Sequence, residues 1–102
     1  MSMYALIVEL VCYPAHRQAV VERALKHAEL VRKEPGCIQF DVLLSTEDSE
    51  LVFLYEAYRS YEAWQEHDGM YYMSGFRKDI EPFLKGRRRV VCKVASLSMD
   101  AE

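Results

Sequence analysis

The first strand-forming stretch of the chain, YALIVELVCY from Tyr4 to Tyr13, is apolar on both of its faces. Successive side chains of a strand point to opposite sides of the sheet. Leu6, Val8, Leu10 and Cys12 therefore share one face, Ala5, Ile7, Val11 and Tyr13 share the other, and Glu9 is the interruption. Leu51 to Tyr58 repeats the pattern, with Glu56 as its one charged residue. A sheet built on such strands has to be covered twice, because apolar surface left in water forgoes about 25 cal/mol per Å2 of burial. A chain of 102 residues holds one domain. Its own helices cover one face, and something else must cover the other.

Between these strands the period changes. From His16 to Lys33 an apolar stripe of Val20, Ala24, Ala28 and Val31, flanked by Val21 and Leu25, opposes Arg17, Gln18, Glu22, Lys26, Glu29 and Arg32. This spacing predicts an amphipathic helix, ended by Pro35-Gly36. Cys37 to Leu44 reads as a strand with Ile38, Phe40, Val42 and Leu44 on one face and Gln39 and Asp41 on the other. The polar turn STEDSE separates it from the strand Leu51–Tyr58, so the two form a hairpin. Ser60 is positioned to cap a short helix carrying Trp64 and His67, with Glu62 near its positive end and Asp68-Gly69 at its close. A further helix is expected from Met70 to Leu84, with Met73, Phe76, Ile80 and Phe83 on one side and Pro82 disturbing its last turn. Arg89 to Leu97 reads as the last strand.

The order β-α-β-β-α-β, with the second helical unit split in two, is the ferredoxin-like α+β pattern: a four-stranded antiparallel sheet with helices on one face. The simplest cover for the other face is a second copy of the chain, so the sequence predicts a homodimer with its sheets packed face to face.

Several classes are disfavoured. A net charge of -3 speaks against general nucleic-acid binding. No apolar run reaches the roughly 20 residues of a membrane span, and the N-terminal apolar run lacks the flanks of a secretion signal, so the chain reads as cytoplasmic. Cys12, Cys37 and Cys92 form no CxxC pair and are expected to stay reduced and pack as small apolar residues. Neither GxGxxG nor GxxxxGK[ST] occurs. His16, His27 and His67 have no HxH or HxxxH spacing and no carboxylate at metal-ligand spacing, and no flavin-binding element is recognisable. Chemistry by side chains alone, with no cofactor and no metal, is the expectation.

The residues MYALIVELVCYP, EPGCIQFDVL and FLYEAYRSYEAWQEH, with the aromatic helix that follows, resemble the antibiotic biosynthesis monooxygenase family over nearly the whole chain. EPGCIQFDVL and the combination of LYEAY with His67, nine residues beyond Tyr58, are the most specific parts. The resemblance implies a small ferredoxin-like homodimer with a pocket in each subunit between helices and sheet. It also implies oxygenation of quinol-like or polycyclic aromatic substrates by O2 without metal or flavin. A haem-degrading branch uses an Asn on the first strand and a haem-ligating His on the last helix; here that strand has no Asn and the helix position aligns with Phe76. A branch that isomerises phosphorylated autoinducer-2 is also similar, in FDVL, YEAY, His67 and the basic GRRR of Gly86 to Arg89.

The rings of Tyr58, Tyr61, Trp64 and His67, three residues apart, join the end of a strand to one face of a helix. An oxygenase without cofactor must convert a phenol or activated C–H into an anion that reduces oxygen, which calls for a base in a dry, flat pocket. His67 is the expected base, and Glu56 is expected to orient it or act as a second base. Phe40, Tyr55, Trp64, Tyr72 and Phe76 are the expected walls, with Met70 and Met73 as adaptable filling and Tyr55 or Tyr72 as donor to an oxyanion. In the isomerase alternative the same base moves a proton through an enediolate while Arg87, Arg88 and Arg89 grip a phosphate. A third class is a non-catalytic dimeric module that binds an apolar metabolite.

Overall fold

The computed structural model describes residues 2–96. The chain runs β1 (Tyr4–Cys12), α1 (Arg17–Val31), β2 (Cys37–Leu44), β3 (Leu51–Tyr58), α2 (Tyr61–Asp68), α3 (Met73–Ile80) and β4 (Leu84–Lys93). The strands form one antiparallel sheet in the order β2-β3-β1-β4. This is the ferredoxin-like arrangement expected from the order of periodicities, with the helices on one face.

Register decides what each side chain sees. Leu6 lies opposite Glu56 and Val91, Val8 opposite Leu54 and Arg89, and Leu10 opposite Val52 and Arg87. On the far side of β3, Phe40 lies opposite Glu56. These residues form the helix-covered face, against which α1 packs Val20, Ala24, Ala28 and Val31, all buried. Arg17 fixes the start of α1 to the hairpin through bonds to the Ser45 and Leu51 carbonyls at 2.9 and 3.0 Å. Arg32 fixes its end to β2 through the Phe40 carbonyl, at 3.0 and 2.7 Å.

The bounds of β2 and β3 are those the sequence predicts, whereas the C-terminal third differs. The helix expected from Met70 to Leu84 is Met73–Ile80, and Glu81–Phe83 form a 3-10 turn. Pro82 lacks the N–H that a helix would need there, and Leu84 is already extended, with φ -104 and ψ 138. The last strand accordingly begins at Leu84 rather than Arg89. Lys85, Arg87 and Arg88 belong to it as well, since on an edge strand cations are tolerated and guard the open ladder. Leu97, the expected end of that strand, lies outside the described residues.

Among the described residues no helix covers the opposite face of the sheet. Ile7, Leu43 and Val90 are 45, 47 and 38% exposed there. Tyr55, between Ile7 and Asp41 in the register, belongs to this same face.

The placement of α2 depends on Gly36. The Ser60 hydroxyl caps α2 by accepting from the Ala63 N–H at 3.0 Å. The Arg59 N–H donates to the Gly36 carbonyl at 2.9 Å, and the Arg59 guanidinium donates to that of Pro35. A Cβ on Gly36 would sit 2.3 Å from the Ala63 Cβ. Gly36→Ala should therefore force α2 outward and cost about 1–3 kcal/mol. A lower urea midpoint that Ala63→Gly partly restores in the double variant checks this.

Candidate active site

α2 carries His67 near its end, and the helix is short enough that this side chain enters the space between the end of α1 and the middle of β3. His67 is 2% exposed. Its Nδ1 lies 3.0 and 3.2 Å from the two oxygens of Glu34, in the turn after α1. Its Nε2 lies 3.5 Å from Oε1 of Glu56 on β3. The imidazole is thus held between two carboxylates, each with a further donor. Tyr58 OH donates to Glu56 Oε1 at 2.7 Å, and Tyr72 OH donates to Glu34 Oε2. Tyr58 also stacks on the His67 ring, with centroids 4.8 Å apart.

The chain of contacts has a direction. A carboxylate only accepts, so Glu34 takes the Nδ1–H of His67 and Nε2 is turned to Glu56. Burial raises the pKa of Glu56 above the ordinary carboxylate range, against the lowering effects of the Tyr58 hydrogen bond and the charge of His67. Oε2 of Glu56 receives no hydrogen bond among the described residues. The same burial, with Glu56 as neighbour, raises the Tyr58 phenol well above its usual range, so Tyr58 remains a donor.

Glu56 and His67 form the floor of a cavity of about 450 Å3 between the helices and the sheet. Leu6, Val8, Leu10, Leu54, Met73, Phe76 and Ile80 make its apolar walls, and Arg77, Arg87, Arg89 and Asp68 line its polar side. Asp68 Oδ1 is 3.2 Å from both Arg77 and Arg89, which holds the two guanidiniums together.

Of the residues expected from sequence, His67, Glu56, Phe76, Met73, Arg87 and Arg89 meet in this cavity. Tyr55 does not, because strand alternation turns it to the open face. Arg88 is directed away for the same reason and lies opposite Glu9. Phe40 is buried against the His27 ring, 5.6 Å between centroids, and forms no part of the cavity lining. Trp64 stacks on Tyr4 with Arg89 6.0 Å above its ring, so it supports Arg89 rather than walling the cavity. Tyr72 holds Glu34 from behind, and Tyr72 and Met70 line a second cavity of about 310 Å3. Burial and the Glu34 carboxylate push the Tyr72 phenol up, so it too stays protonated.

Glu34, Arg77 and His27 were not among the expected site residues. Glu34 follows the last helical turn and looks solvated in sequence; its only signal is its place at the head of EPGCIQFDVL. His27 carries a clearer signal, since it falls within the apolar stripe of α1.

The antibiotic biosynthesis monooxygenase family model matches residues 3–79. This chain belongs to that family. It is similar in structure to a Nitrosomonas europaea protein provisionally described as an antibiotic biosynthesis monooxygenase, at 26% identity and TM-score 0.85 over 91% of this chain and 90% of that one. It is similar also to Rv0793 of Mycobacterium tuberculosis, at 27% identity and TM-score 0.81 over 95% and 97% of the two chains. A Bacteroides thetaiotaomicron protein at 19% identity shares the fold, with TM-score 0.86 over 91% and 98%. No curated protein matches the chain.

Proposed function

We propose that this member of the antibiotic biosynthesis monooxygenase family oxidises a phenolic or quinol-like aromatic molecule with O2, and that Glu56 and His67 together are the base. The observation that carries this reading is the buried Glu56 carboxylate, which faces an apolar cavity with one oxygen engaged by Tyr58 and His67 and the other unengaged. A carboxylate with a raised pKa takes a proton from a weak acid more readily than an ordinary one. The proton is shared between Glu56 and Nε2, while Glu34 stabilises the charge that His67 acquires.

The chemistry closes without another reductant. Removal of a proton from a ring CH2 activated by a phenol leaves an anion, which transfers one electron to O2; the resulting pair combines to a hydroperoxide. Loss of water then leaves a carbonyl. The carbon loses two hydrogens and four electrons, one oxygen atom stays on it, and the other departs as water. The dry walls of Leu54, Met73 and Phe76 protect the anion from reprotonation.

A second reading has an observation of its own. Arg77, Arg87 and Arg89 on the polar side of the cavity suit a phosphorylated substrate, as in isomerisation of an autoinducer-2-type dione through an enediolate. That reaction consumes no oxygen.

The open sheet face supports a further part of the proposal, a homodimer closed by that face. Ile7→Glu with Val90→Glu should then halve the mass measured by sedimentation equilibrium, and an unchanged mass for wild type and variant would sink the dimer.

Oxygen uptake with a panel of hydroquinones and anthrone-type phenols tests the activity. Glu56→Gln should reduce kcat/KM by about 10²–10⁴-fold. Because the raised Glu56 pKa leaves the base protonated in acid, the wild-type rate should fall as pH drops through a value above the usual carboxylate range. A wild-type rate no faster than background would shift the assignment to the isomerase.

A further inference from the structure

We infer that His27 is a second substrate-contacting group in this cavity, an imidazole N–H that donates to the oxygen on which negative charge gathers when Glu56 and His67 take the proton. The inference rests on the reading of the cavity given above.

His27 lies on the buried side of α1 and is 1% exposed, yet its ring borders the cavity. The ring is locked in place: it lies flat on Phe76, with centroids 3.9 Å apart and planes 6° from parallel. The rings of Phe40 and Tyr72 meet it edge to face, each at 5.6 Å. So rigid a setting would suit a purely apolar ring, but this one is polar. Its Nδ1 is enclosed and has no hydrogen-bond partner among the described residues. A buried polar atom left in this way calls for a reason. An unmatched acceptor is tolerated better than an unmatched N–H, which favours the tautomer with the proton on Nε2. Since Nδ1 is sealed, the part of the ring that borders the cavity is the remainder, which carries Nε2.

Two further facts fit a donor role. Burial, reinforced by the charges of His67, Arg23 and Arg77, lowers the His27 pKa to about 3. The ring is therefore a neutral donor throughout the working range, and a proton arriving on His67 keeps it so. The His27 and His67 centroids are 6.3 Å apart and both residues line the cavity, so one aromatic molecule held there meets the base and the donor together. Such a preplaced donor acts on the charge that develops in the transition state.

The experiment uses four proteins and two readouts. His27→Phe keeps the stack on Phe76 without an N–H; His27→Gln keeps an N–H, and His27→Met, of similar shape to Gln, lacks it. The first readout is oxygen uptake, and the second is the visible absorbance of 4-nitrophenol, which is yellow only when ionised, titrated with and without protein. We expect wild type and His27→Gln to hold nitrophenol ionised to lower pH than His27→Phe and His27→Met do. Turnover should fall about 10²–10³-fold in Phe and Met, with KM little changed, and far less in Gln. The inference is overturned if all four proteins ionise nitrophenol alike, or if the Phe and Met variants turn over as well as Gln. Absence of oxygen uptake in the wild type would instead overturn the oxygenase reading, and the nitrophenol titration would still decide the role of His27.

Discussion

A histidine enclosed between two carboxylates is costly to bury unless every donor meets an acceptor, and much of this fold can be read as the means of satisfying that condition at His67. Glu34 arrives from the turn after α1, Glu56 from the middle of β3, and His67 from the end of α2. Each carboxylate is in turn held by a tyrosine, Tyr72 for the first and Tyr58 for the second. Removing any one partner would leave a buried charge or polar atom unmatched, which costs more than the contact itself contributes. The site is therefore also a fastener between helices and sheet. Its rigidity suits the proposed role, since a base that must meet a substrate proton gains from being held in place before the substrate arrives.

The same cavity divides its labour by position. The floor is acidic and imidazole-bearing, the walls are aliphatic and aromatic, and the guanidiniums of Arg77, Arg87 and Arg89 occupy the polar side. Asp68 ties two of these arginines together, and Trp64 underlies one of them. An elongated aromatic with an acidic proton at one end and an anionic or strongly polar group at the other would match this gradient. The aromatic segment Tyr58–His67 thus serves two purposes: its tyrosines and Trp64 position neighbouring groups, and its histidine enters the site.

Local signals in the sequence were enough for the framework. Pro35-Gly36 and STEDSE punctuate β2 and β3 so sharply that their bounds agree with the structure, and Ser60 caps α2 as its residue type suggests. Strand parity alone places Arg87 and Arg89 on one side and Arg88 on the other, but only once β4 is known to begin at Leu84, and the charged run concealed that start. Tyr55 was misplaced for a related reason: with both faces of β3 apolar, composition does not say which face the helices cover. The register of Glu56 with Leu6 and Phe40 settles it. Glu34 was the least legible, since it meets His67 across a sequence separation of 33 residues and no local pattern announces that contact.

The geometry sets the Nδ1 proton of His67 against Glu34 and turns Nε2 to Glu56. Long-range 1H–15N correlation spectra of protein labelled at histidine report which ring nitrogen carries the proton. A protonated Nδ1 for His67, with an Nε2 resonance that moves in Glu56→Gln, is the result this structure predicts. A bare Nδ1 with the proton resting on Nε2, or an Nε2 resonance indifferent to Glu56→Gln, would contradict it.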